Sequence, residues 1–258
     1  MKFGGSSVAG ADKIARVVGI VRAQLARKPV LVVSAFRGVT DELLALAHDA
    51  LMGNLARLDA IETRHRDAAA DLGVDFAPLA PLFTELRELT RGISLLKELT
   101  PRTLDRMASY GERLSARLIA PAFTKAGVPA RAVDAFDAGL LVDERFGGAN
   151  PLPSADAAIA KTFSVFKELP VVTGFIGRTP SGEIATLGRN GSDYSATILG
   201  AALGAEEIQI WSDTDGIMTA DPRIVPTAKG LGTLSFDEAC ELAYYGGKVL
   251  HPDRKSVV

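Results

Sequence analysis

The run PVLVVSA, Pro29 to Ala35, is too short and too rich in valine for a helix, and it reads as a buried strand. Three further runs of the same kind follow at a distance: PARAVDA (Pro129 to Ala135), PVVTGF (Pro170 to Phe175) and EIQIWS (Glu207 to Ser212). Amphipathic stretches separate them. Ile14, Val17, Val18, Val21 and Leu25 recur at helical spacing and would cover one face of a sheet. Similar patterns run from about Thr103 to Ala126, Ala155 to Glu168 and Ser192 to Leu203. Strands alternating with helices predict an α/β domain with a mainly parallel central sheet and helices on both faces. Asp41 to Leu99 interrupts the alternation with a helical excursion broken near Gly53, Gly73 and Pro78. GGANPLP, Gly147 to Pro153, reads as a loop between two halves.

The chain has 258 residues, enough to bury a sizeable core. Its net charge of −2 lacks the basic excess of a nucleic-acid surface, so no nucleic-acid partner is expected. The single cysteine, Cys240, excludes an internal disulfide and fits a reducing compartment. No apolar run reaches about 20 residues and no signal-peptide layout opens the chain, so a cytoplasmic, soluble protein without a membrane partner is expected.

Four stretches carry chemistry. MKFGGSSV places Lys2, then Gly4 and Gly5, then two hydroxyls ahead of a helix, where bare backbone can approach anionic oxygens. It is neither a Walker A loop nor a GxGxxG fingerprint; both are missing from the sequence. TLGRNGSDYSA, Thr186 to Ala196, frees the backbone at Gly188 and Gly191 and opens a helix at Ser192 or Asp193. A helix start carries unpaired amides and partial positive charge, and Arg189 adds a planar fork suited to carboxylate or phosphate. Asp193 reads either as a helix cap or as a working carboxylate. WSDTDGIMTADPR, Trp211 to Arg223, is an acidic loop following a strand, either a ligand loop or a surface turn. LSFDEACELAYYGGKVLHP, Leu234 to Pro252, opens with a Ser235–Glu238 capping box, and Lys248 follows its Gly246–Gly247 stop. The HRD triplet, His65 to Asp67, mimics a kinase catalytic loop without its companions and reads as a solvated helix face. The three histidines and one cysteine lack metal-ligand spacing, and Cys240 reads as packing.

Taken in order, KFGGSSV, VVSAFRGVT, YGERLSA, VTGFIG, TLGRNGSDYSA, SDTDGIMTADPR and LAYYGGKVLHP resemble the catalytic domain of aspartate kinases, and AFDAGLLVDERF is similar to the monofunctional plant-like branch. The resemblance spans the chain. It implies the amino-acid kinase fold, a three-layer α/β/α sandwich, with an aspartate-binding half to about residue 150 and a nucleotide-binding half over about 151–258. It also implies ATP-dependent phosphorylation of the L-aspartate β-carboxylate with Mg²⁺, the first step toward lysine, threonine and methionine. The nucleotide site would use Lys2, Gly4, Gly5, Ser6, Ser212, Asp213, Met218, Arg223 and Lys248. The aspartate site would use Ser34, Thr40, Glu112 and Arg189, with Lys2, Arg189 and Asp193 at the reacting end.

Departures from the family pattern are modest within the motifs. Ser6 and Ser212 stand where Thr is common, Asn190 where Gly is frequent, and Met218 where Tyr is usual. The family continues past KVLHP into small regulatory ACT domains, and no such domain is expected within these 258 residues. A kinase for a related small acid and a nucleotide- or aspartate-binding form with little turnover are the competing readings. Homo-oligomerisation is left open.

Overall fold

In a computed structural model of the chain, residues 1–188, 190–212, 216–220, 225–235, 237–239 and 241 are described. In chain order the elements are strand β1 (Lys2–Phe3), helix α1 (Ala11–Arg22), β2 (Leu31–Val33) and α2 (Val39–Leu51). Then come α3 (Ala56–Leu72), α4 (Ala80–Leu96), α5 (Pro101–Lys125), β3 (Ala130–Val133) and α6 (Ala155–Phe163). The remainder is β4 (Leu169–Thr173), β5 (Ile176–Arg178), β6 (Ile184–Thr186), α7 (Gly191–Ala202) and β7 (Ile210–Trp211).

Five strands form one sheet in the order β3-β4-β2-β1-β7, and all four pairings are parallel. The run around PVLVVSA thus lies mid-sheet, buried on both faces, which explains why it is continuously apolar. Side chains of a strand alternate between faces. Phe3, Leu31, Val33 and Val171 therefore join the core beneath α1, α2 and α5, while Val32, Val133 and Val172 join the core beneath α6 and α7. Each such fully buried Val or Leu contributes about 1.5–3 kcal/mol over an exposed one. The layers are helix, sheet, helix, the expected α/β/α sandwich. The register pairs Lys2 with Val32, so Lys2 sits on the α7 face while its neighbour Phe3 enters the opposite core.

The helical excursion is three helices, α2 to α4, interrupted where Gly53, Gly73 and Pro78 fall. Ser235 and Glu238 form the expected reciprocal cap: the Ser235 amide donates to Glu238 Oε2 at 2.7 Å and the Glu238 amide to Ser235 Oγ at 3.3 Å. Five details differ from the sequence reading. Leu25 does not continue the α1 stripe; α1 ends at Arg22, and Leu25 lies in a single 3-10 turn with 38% of its surface exposed. The helix expected to Glu168 stops at Phe163, and the strand expected over 207–212 is ordered as strand only at Ile210–Trp211. An antiparallel hairpin, β5–β6, follows β4 without having been anticipated. Finally, His65 is not on a solvated face. It is fully buried, stacks on Phe36 at 5.0 Å between ring centres, and its Nδ1 lies 2.8 Å from the Ile61 carbonyl oxygen. Its charged neighbours Arg66 and Asp67 face outward, as the 3.6-residue period requires.

Candidate active site

A cleft of about 630 Å³ opens at the carboxyl ends of β1, β2 and β4, where open parallel sheets place their ligands. Its walls come from the turn after β1, the turn after β2, the first turns of α2, one stripe of α5 and the start of α7. Lys2, Gly5, Ser34, Thr40, Glu112 and Asp193 all line it.

Lys2 and Asp193 meet directly, Nζ to Oδ1 at 2.6 Å, with side chains 11% and 14% exposed. The register of β1 aims Lys2 at α7, and Asn190 in the left-handed region (φ 58°) turns the chain into that helix. No side chain caps α7, and Asp193 in its first turn reaches Lys2 instead. The cap reading of Asp193 is therefore replaced by an ion pair at a helix N-terminus, where partial positive charge also favours a carboxylate. The Gly4 backbone lies beside the ammonium: a Cβ there would stand 3.5 Å from Nζ.

Glu112 of α5 lines the same cleft. Helix α5 comes close to the turn after β2 because Gly111 has no side chain; a Cβ there would stand 2.7 Å from that of Ala35. Burial raises the Glu112 carboxyl to about 7, against the opposing pull of the Ala35 and Glu112 amides, the Lys2 charge and the Ser192 hydroxyl. Its Oε2 has no hydrogen-bond partner of ordinary geometry among the described residues. A buried carboxylate oxygen without a partner, on a residue that lines the cleft, is suited to a ligand cation, which would supply the partner that the chain withholds.

Of the other expected site residues, Ser6 sits in the 3-10 turn Gly5–Ser7, and Ser212 follows β7 beside Gly4, whose amide donates to the Trp211 carbonyl at 3.2 Å. Met218 bridges to Gly230 in a short antiparallel contact. None of these three lines the cleft. Arg189, Asp213, Arg223 and Lys248 lie outside the described residues. Among the described residues no group of three His, Cys, Asp or Glu side chains is placed to hold a metal ion, and no helix is long and apolar enough to cross a membrane.

Sequence reasoning missed Asp105. It lies in the second turn of α5, is 4% exposed, lines the cleft and accepts three hydrogen bonds from segments 42 and 81 residues away. Nothing local in the sequence marks it.

The parallel sheet thus brings a lysine-bearing strand and a carboxylate-bearing helix start together at one cleft of an α/β scaffold. The chain matches the amino acid kinase family over residues 1–256 and belongs to that family. It is similar to the chloroplastic aspartokinase 3 of Arabidopsis thaliana, with 41% identity over 98% of this chain and 47% of that protein. It is also similar to the lysine-sensitive aspartokinase 3 of Escherichia coli K12, with 36% identity over 97% of this chain and 57% of that protein. The solved structure of E. coli aspartokinase III in complex with aspartate and ADP, in its R-state, matches with a TM-score of 0.78 and 33% identity, over 97% of this chain and 57% of that one. The chain thus spans about half the length of the curated relatives it matches.

Proposed function

We propose that the chain carries the catalytic unit of an aspartate kinase, transferring the γ-phosphoryl group of ATP to the β-carboxylate of L-aspartate. The observation that carries this reading is the Lys2–Asp193 pair at 2.6 Å in one cleft with Glu112. The identity to aspartokinases supports the choice of acceptor. A division into an aspartate-binding half, to about residue 150, and a nucleotide-binding half beyond it follows from the same reading.

The acceptor sets what the site must supply. A β-carboxylate has a pKa of about 3.9 and is ionised at neutral pH, so it needs no general base. The difficulty is bringing that anion to a polyanionic phosphate, and such transfers are carried by positioning and charge stabilisation. Lys2 serves the transferring phosphoryl oxygens, and Asp193 holds its ammonium in place. The first turn of α7 adds its positive end to the same region. Glu112 receives the substrate's α-ammonium, Arg189 its α-carboxylate, and the Ser34 and Thr40 hydroxyls donate to its oxygens. Glycines 4 and 5 let phosphate approach the backbone. No protein-only magnesium site fits the described residues; Mg²⁺ would arrive on the nucleotide's phosphates, as is usual for this hard cation. The lone cysteine supports a reducing compartment, which we take to be the cytoplasm.

The test is chemical. Purified protein with ATP and L-aspartate should yield an acyl phosphate that hydroxylamine traps as a hydroxamate, with matching ADP release in a coupled assay. A panel of glutamate and other small acids should react poorly. Nucleotide or aspartate binding by calorimetry without any hydroxamate would reject turnover, and a stronger signal from another acid would reassign the acceptor.

A further inference from the structure

The carboxylate of Asp105 ties together the two walls of the cleft. Its Oδ2 accepts from the Gly147 amide at 2.9 Å and the Thr186 amide at 2.8 Å, and its Oδ1 accepts from the Thr186 hydroxyl at 2.8 Å. These donors belong to the only described segments that join α5 to the start of α7 through this carboxylate. Thr186 ends β6, two residues before Gly188, and its carbonyl accepts in turn from the Ala149 amide at 2.8 Å. Gly188 adopts φ +74°, and a Cβ there would stand 3.2 Å from the Gly147 carbonyl oxygen, so the two backbones lie against each other. The loop carrying Gly147 is itself fixed by Asp143, which accepts from the Arg145 amide at 3.2 Å and the Asn150 amide at 3.1 Å. Asp105 and Glu112 are seven residues apart on α5, two turns, and so share one stripe of the helix, about 10 Å apart.

We propose that Asp105 is a positioning residue that sets the separation between Glu112 on α5 and the start of α7, and so holds aspartate in line for transfer. This rests on the proposed aspartate kinase reading for its catalytic consequence, but the tie itself can be measured without turnover. Three donors converge on the group, and burial with that donor set explains why a carboxyl is found there. The geometry also says which replacement should work. An asparagine can accept both backbone amides on its one oxygen, and its NH₂ can donate to the Thr186 hydroxyl, which reverses its role. Alanine can do none of this.

Three variants, Asp105→Ala, Asp105→Asn and the double variant Asp105→Asn with Thr186→Val, test the assignment. Asp105→Ala should lower kcat for aspartate about 100-fold, the scale of a misplacement of about 1 Å, with the KM for ATP changed less than about 2-fold. Asp105→Asn should stay within about 5-fold of the parent, and adding Thr186→Val, which faces the new NH₂ with a methyl, should bring the loss back toward the alanine level. Hydrogen exchange of peptides covering 143–150 and 184–188 is read in parallel. It should rise at least about 10-fold in Asp105→Ala and little in Asp105→Asn. Unchanged exchange in Asp105→Ala overturns the tie. Faster exchange with kcat/KM for aspartate within about 2-fold of the parent overturns its role in positioning. If Asp105→Ala does not fold, the Asn pair decides: equal losses in Asp105→Asn and the double variant reject the tie. If the parent protein phosphorylates no aspartate, the functional reading fails and the exchange data alone judge the tie.

Discussion

Glu112→Gln should make the protein more stable above neutral pH while removing its grip on aspartate. In the folded chain the carboxyl is pushed up from 4.5 to about 7, chiefly by burial. The unfolded chain ionises this group first, so between about pH 4.5 and 7 the folded state holds the extra proton. The contribution of Glu112 is thus fully present below pH 4.5 and is lost as pH rises through 7. That displacement corresponds to about 3 kcal/mol. Glutamine keeps the shape and never ionises, so its advantage over the parent should be near zero at about pH 3.5, about 1 kcal/mol at about pH 5 and about 3 kcal/mol at about pH 8. Urea denaturation of both proteins at several pH values, compared as differences, reads this directly. The difference matters because His65 acts with opposite sign in the same pH range and would flatten the parent's own profile. The same substitution should raise the KM for aspartate about 100-fold, the scale of losing a buried charge partner. Parallel stability curves at all pH values would refute the burial argument, and an unaltered KM would refute the ammonium assignment.

Other outcomes follow from the same geometry. Lys2→Ala should lower kcat about 100- to 1,000-fold while moving the KM for aspartate far less, and steady-state kinetics showing the reverse split would contradict its role at the phosphoryl group. His65→Phe should keep the stack on Phe36 and gain on the parent in acid. Burial lowers the imidazole to about 4, so its contribution is present above 6.5 and is lost as pH falls toward 4, about 3 kcal/mol in all, measurable by denaturation at pH 4.5 and 7.5. Gly111→Ala should cost about 1–3 kcal/mol through overpacking against Ala35 2.7 Å away and weaken aspartate binding, since α5 must back away from the turn after β2. A thermal melt and an aspartate titration check both effects.

Much of this architecture was readable in the residues themselves. Pro29 to Ala35 and Pro170 to Phe175 announced β2 and β4 because strands buried on two faces carry no polar break. Helices α2 to α4 could be counted from their glycine and proline interruptions. The hairpin β5–β6 escaped because each strand is three residues long and Gly177 dilutes the first. His65 was misplaced because Arg64, Arg66 and Asp67 dominate the local composition, although Leu58, Ile61, His65 and Ala68 keep the helical spacing of an inward stripe. At the site, Lys2, Gly5, Ser34, Thr40, Glu112 and Asp193 were selected from motifs, and the fold brings them to one cleft. Asp105 could not be found that way, because its partners are supplied by topology. A lone aspartate in a helix carries no local sign that two distant backbone amides will seek it.

The position of β1 has a consequence for synthesis. This two-residue strand is flanked by β2 and by β7, and Lys2 pairs in register with both Val32 and Ile210. A ribosome delivers β1 well before β7, and one of its sides stays open until some two hundred further residues have emerged. The nascent chain therefore carries an unfinished seam through the centre of its sheet over all of that interval, and a chaperone or a slow codon run ahead of β7 would act on that seam.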